Sequence, residues 1–304
     1  QNQQSTEFDN NETDLIFTCD EISAYAAIAF NNGLELKKMS KFEKAIQSFL
    51  SGSVFSEKVI ECKAPCIFEA IDCYINLIKS SENGHSSLSQ AQSLIDRIAT
   101  EIESTPNIDQ KYKDGLSLAR IKINLIQSTQ SDEFYHYSIE LIEDITLPAI
   151  LCEVCDFIIE HNAPREVIQA LLERAKIIDQ LNKKSTFGDN FITSISASLL
   201  QQLVSHSETL EERRKTYDLV MDFISPENAS LMSTSQLQFF MSHAWNIGVN
   251  CAKSFRVEDA NWWLKTALNI MNLNEELKSL YADELNDKYS RFIQKNTIFS
   301  STLI

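Results

Sequence analysis

Two pairs of cysteines stand at spacings used by metal sites and redox motifs: Cys152 and Cys155 form a CxxC, and Cys62 and Cys66 a CxxxC. Thiolates at such spacings hold zinc only when further Cys or His residues complete a tetrahedral set. No partner follows at a zinc spacing, and both pairs lie in apolar stretches with helical periodicity, where cysteine packs as a small hydrophobe. Glu82 with His85, and Glu133 with His136, repeat the Glu-x-x-His element of di-iron bundles. The first pair sits in a polar, Gly-containing loop, and companion carboxylates on apolar helix faces are missing. HExxH, GxSxG, GxxxxGK[ST] and GxGxxG patterns do not occur. The reading is therefore of a protein that is not an enzyme and takes no metal or cofactor. A helical metalloenzyme stays as an alternative.

Binding chemistry is better represented. Phe30-Asn31 and Trp245-Asn246 each place an aromatic and an Asn three and two residues before a glycine, Gly33 or Gly248. An Asn amide both donates and accepts, so it can hold a peptide backbone at two points. A neighbouring aromatic supplies a large anchor of the kind that dominates binding hot spots. Trp262 is rotated about 100° from Trp263 on a helix. With Ala260, Leu264 and Ala267 facing inward, Trp263 falls to the core, whereas Trp262 is either a further anchor or packed on a terminal helix. The plainer reading of Trp245 is core, and of Asn246 a local hydrogen-bonding group.

These residues need elements to position them, and the sequence supplies helices. Gly33 and Ala45 are twelve apart, with Phe49 four beyond the Ala, and Gly248 and Ala260 are also twelve apart. This is the skeleton of a tetratricopeptide (TPR) repeat: small residues on two helices allow close approach, and large apolar residues one turn away fill the crossing. Apolar stripes at spacings of three and four predict helices near 14–37, 41–55, 58–80, 87–104, 109–127, 131–145, 148–161, 164–182, 189–206, 208–224, 233–253, 257–272 and 274–295. Their breaks carry turn signals such as Thr105-Pro106-Asn107 and Ser225-Pro226-Glu227-Asn228. Ala45 and Ala260 are separated by five steps of about 43 residues, longer than a regular repeat of about 34. The middle repeats must then be degenerate. The expected architecture is an all-α, TPR-like α-solenoid over residues 15–304, with about six hairpins and a C-terminal capping helix.

Composition agrees with that class. Among 304 residues there are six Gly and five Pro, about a third of average usage, which disfavours turn-rich sheets and phosphate loops. Hydrophobic residues make up 43%, with 17 Phe, enough for a sizeable core. The net charge of −16 argues against a nucleic-acid surface and favours neutral or basic partners. Glu7, Asp9, Glu12, Asp14, Asp20 and Glu21 all precede the first Lys, Lys37; residues 1–14 read as a flexible acidic, Gln/Asn-rich tail. Seven cysteines, an odd number without a secreted spacing, point to a reduced intracellular setting. No apolar run is long enough to span a membrane.

The C-terminal block His243-Ala244-Trp245-Asn246-Ile247-Gly248-Val249 with Val257-Glu258-Asp259-Ala260-Asn261-Trp262-Trp263-Leu264-Lys265-Thr266-Ala267-Leu268 resembles the distal repeats of a meiotic TPR scaffold family. Its members are called Zip-four in yeast and testis-expressed protein eleven in mammals, and they place a Trp-Asn-x-Gly helix before an Ala-x-x-Trp helix. The match covers about 30 residues, and the family is much longer, so this chain would be a C-terminal portion. The resemblance implies a nuclear, chromosome-associated hub joining crossover recombination factors to the synaptonemal complex. It also implies that Trp245 and Asn246 contact a central-element protein.

Overall fold

A computed structural model describes residues 19–56, 59–80, 84–127, 133–182 and 189–301. The expected acidic tail, and Glu82 of the first Glu-x-x-His pair, lie outside those residues. Among the described residues the chain is all-α, with fourteen helices and no strand. It divides into two compact units, with the boundary between Ala119 and Arg120.

The first unit holds α1 (Cys19–Lys38), α2 (Phe42–Phe55), α3 (Ile60–Ser80), α4 (Gly84–Ser104) and the start of α5 (Gln110–Gln127). Helix α1 packs on α2, α2 on α3 and α3 on α4, and α1 also reaches α3. Ala45, Ile46, Phe49, Ala70 and Cys73 form a closed cluster against which Phe30, Leu34 and Leu94 pack. Lys37 sits between Glu69 and Asp72 at 2.6 and 2.7 Å. Burial alone would lower its pKa, but the two carboxylates outweigh burial and raise it.

Helix α3 carries Pro65 in its second turn. Proline has no N–H, so the carbonyl of Glu61 loses its intrahelical donor. The Tyr112 hydroxyl, from α5, donates to that oxygen at 3.2 Å. The sequence interruption is thus repaired by a neighbouring helix.

The second unit holds the rest of α5, then α6 (Glu133–Asp144), α7 (Pro148–Glu160), α8 (Arg165–Asn182), α9 (Asp189–Ser205), α10 (Leu210–Phe223), α11 (Pro226–Leu231), α12 (Thr234–Lys253), α13 (Val257–Asn272) and α14 (Glu275–Ser301). Adjacent pairs α7 with α8, α9 with α10, and α12 with α13 pack together, as do α1 with α2 and α3 with α4 in the first unit. These make five hairpins; α6 packs on α8, the short α11 on α9, and α14 on α13. Ser225 caps α11 through the Asn228 N–H, with Pro226 at its first position. Two longer helices start on capping boxes, Thr209 with Glu212 for α10 and Ser233 with Gln236 for α12. The core runs through Leu200, Tyr217, Phe240, Ala244, Trp263 and Met271, and α14 adds Leu277 and Leu285 to it.

Three hairpins share one turn. Ser40, Asn162 and Phe255 have φ of 56, 50 and 59°. In each case the next residue's N–H bonds a carbonyl five back: Lys41 to Leu36, Ala163 to Ile158, Arg256 to Cys251. These are Schellman motifs, in which a left-handed residue satisfies the last helical carbonyls. Seven residues before the turn stand Gly33, Cys155 and Gly248; five after it stand Ala45, Val167 and Ala260. The α7–α8 hairpin is therefore a third repeat in register, in which Cys155 and Val167 occupy the small-residue positions. That explains the CxxC. Cys152 and Cys155 are buried, and burial together with the nearby Asp156 carboxylate pushes both thiols up to about 12, so they pack as neutral, small apolar groups.

Candidate functional site

The α12–α13 hairpin meets closely at Gly248, where an added Cβ would lie 2.8 Å from the Leu264 side chain and 3.1 Å from its backbone nitrogen. At Gly33 the same role falls to the Phe49 ring, 2.6 Å from an added Cβ. Leu264 and Phe49 each lie four residues after the small residue of the second helix, so the two crossings are built alike. On α12, Leu237, Phe240, Met241, Ala244, Ile247, Gly248 and Cys251 are buried.

That packing leaves the opposite face of α12 open. Ser235, Phe239, Ser242, His243 and Asn246, the last four at four, seven, eight and eleven residues from the first, line a shallow groove of about 400 Å³ together with Gln238. At 100° per residue these five cluster opposite Gly248. Gln238 is held at the groove edge by α14, its Nε2 donating to the Tyr281 hydroxyl at 2.8 Å.

His243 is fixed by α10. The buried Tyr217 hydroxyl donates to the Phe240 carbonyl at 2.8 Å and lies 3.1 Å from His243 Nδ1. Since the hydroxyl's one proton is used on the carbonyl, Nδ1 must carry hydrogen and donate to Tyr217. Nε2 is then an acceptor. The His243 ring is nearly parallel to both Tyr217 and Phe239, with interplanar angles of 6 and 12°. Burial and the Arg213 cation depress its pKa, favouring the neutral ring. The groove therefore offers an apolar ring at Phe239, an imidazole, and the free amide of the exposed Asn246.

The residues singled out from the sequence are distributed unequally. Asn246 lines the groove; Trp245 does not, and packs partly buried against the core of the second unit. Phe30 likewise packs on its own cluster, 5.6 Å from the Phe49 ring, while Asn31 is exposed. So the residue three before the glycine turns to the packed side, and the one two before it turns out. Trp263 is fully buried. Trp262 meets it edge-on at 4.7 Å and carries the Arg214 guanidinium 4.9 Å over its ring, with Arg214 also 3.6 Å from Asp259. That cation over the ring comes from α10. Sequence reasoning missed Phe239 and His243. The Phe239-Phe240 doublet, one ring buried and one at the groove, was a usable signal, because it repeats the Trp262-Trp263 pattern.

His136 is exposed on α6. Among the described residues no three His, Cys, Asp or Glu side chains gather as a metal site requires, and no helix is long and apolar enough to cross a membrane. No family model matches the chain, and no curated protein matches it. Among solved structures, that of the hypoxic regulator of sterol synthesis Nro1, a nuclear import adaptor, is similar at a TM-score of 0.32 with 9% identity, over 83% of this chain and 89% of that one. A likeness at that level says nothing of what the present chain binds.

Proposed function

We propose that this chain is a non-enzymatic protein-interaction scaffold that captures a partner segment along the open face of α12. The observation that carries the reading is the division of α12 into one sealed face and one open face bearing Phe239, His243 and Asn246. Asn246 fixes the partner backbone through donor and acceptor together, Phe239 supplies apolar area, and His243 Nε2 accepts a hydrogen bond. Trp245 acts from behind, holding α12 against the core.

The finer reading rests on the resemblance of the 243–268 block to the meiotic TPR scaffolds. On that reading the partners are recombination factors and a synaptonemal central-element protein, and the setting is the nucleus, on chromosomes. A scaffold subunit of another intracellular assembly is the second reading, favoured by the generic TPR nature of Gly248 and Ala260. Substituting Asn246→Gln and comparing pull-downs from meiotic and vegetative cells tests both levels. Loss of partners with an unchanged melt supports the α12 site, and partners confined to meiotic cells support the meiotic role. Unchanged partners in the variant count against the site, and identical partners in both cell types against the meiotic role.

A further inference from the structure

A second groove, of about 570 Å³, lies between α8, α9 and α10, with Asn228 of α11 also lining it. Its floor is apolar, formed by Leu172, Ile192, Leu200 and Phe223. Its rim carries Glu173, Asp179 and Asp222 against Lys176. Among the described residues none of these three carboxylates is ion-paired. The Ser196 side chain lines the same groove.

We infer that this groove is a second docking surface whose occupant is a basic amphipathic helix of a partner protein. The α8 stripe from Gln169 to Gln180 extends over about 16 Å at 1.5 Å per residue, three turns of a docked helix. The apolar floor takes one face of that helix, and the rim carboxylates take Lys or Arg from its flanks. Charge separates this occupant from the rest. A second copy of this chain carries the same net charge of −16, and the N-terminal stretch bearing Glu7, Asp9, Glu12 and Asp14 is acidic as well; both are repelled by the rim.

The probe is a fluorescein-labelled 18-residue helical peptide with Leu on one face and Lys on the other, titrated with the full chain by anisotropy at physiological salt. Saturable binding is expected, weakened at least tenfold by Glu173→Lys or Asp222→Lys, both exposed positions, and changed less than twofold by Glu166→Lys on the same helix. Asn246→Gln should leave this binding unchanged, so failure here and failure of the α12 site are separable. Equal weakening by Glu166→Lys, or equal binding of a peptide with Glu in place of Lys, would overturn the proposal, as would absence of saturable binding. A dimer that Asp222→Lys dissolves would overturn it in favour of a second copy.

Discussion

Gly248 has no room for a methyl group, and what it would strike decides the cost. The Leu264 side chain could swing aside, but its backbone nitrogen, at 3.1 Å, cannot. Overpacking of this kind costs about 1–3 kcal/mol, against about 1 kcal/mol of helix propensity gained by replacing Gly with Ala. Gly248→Ala should therefore lower stability by about 1 kcal/mol in urea unfolding. His243 makes a pH prediction. Its folded pKa is depressed, so the unfolded chain binds the proton first. Its contribution to stability is full above the ordinary value of about 6.5 and is lost as pH falls from there towards the folded pKa. His243→Asn, which cannot titrate, should show a smaller drop in melting temperature between pH 7.5 and 5.5 than the unsubstituted chain. An equal drop would place the proton elsewhere.

At the scale of elements, the Pro65 repair can be isolated. Tyr112→Phe leaves the Glu61 carbonyl without its only donor from α5, and should cost about 1–2 kcal/mol. In a Pro65→Ala background, where the intrahelical N–H is restored, the same substitution should cost much less; a double-mutant cycle measures the difference. Additive costs would contradict the repair. The helices themselves were legible because their stripes are long and their breaks carry Pro, Asn and Ser. Helix α11 was not, since six residues between Ser225 and Met232 are too few for periodicity to show. The α7–α8 repeat was hidden for another reason. Its turn geometry matches the other two, but Cys155 and Val167 replace Gly and Ala, and the crossing tolerates them without the sequence signature. What the backbone conserves there is the left-handed turn residue, which Asn162 adopts easily and Phe255 adopts with its ring 91% exposed.

For the whole molecule, an all-α class followed from scarce Gly and Pro and unbroken helical periodicity. The faces of the helices followed less well. Counting from glycine picked out both members of each aromatic-Asn pair as binding residues, but the 100° step between neighbours puts the two members on different sides here. Asn246 and Asn31 turn outward, Trp245 and Phe30 inward. The ring neighbouring Asn246 in the groove is Phe239, seven residues back, because that is where the helix returns to the same side. The acidic balance gains a local meaning from the rim of Glu173, Asp179 and Asp222, which suits basic partners better than nucleic acid. The central claim is that the open face of α12 binds protein. It is tested most directly by quantifying the proteins that co-purify with the unsubstituted chain and with Asn246→Gln, alongside thermal melts of both. The account predicts matching melts and the loss of at least one stoichiometric partner from the variant, with that partner retained by Glu166→Lys. Identical partners at identical stoichiometry would contradict it.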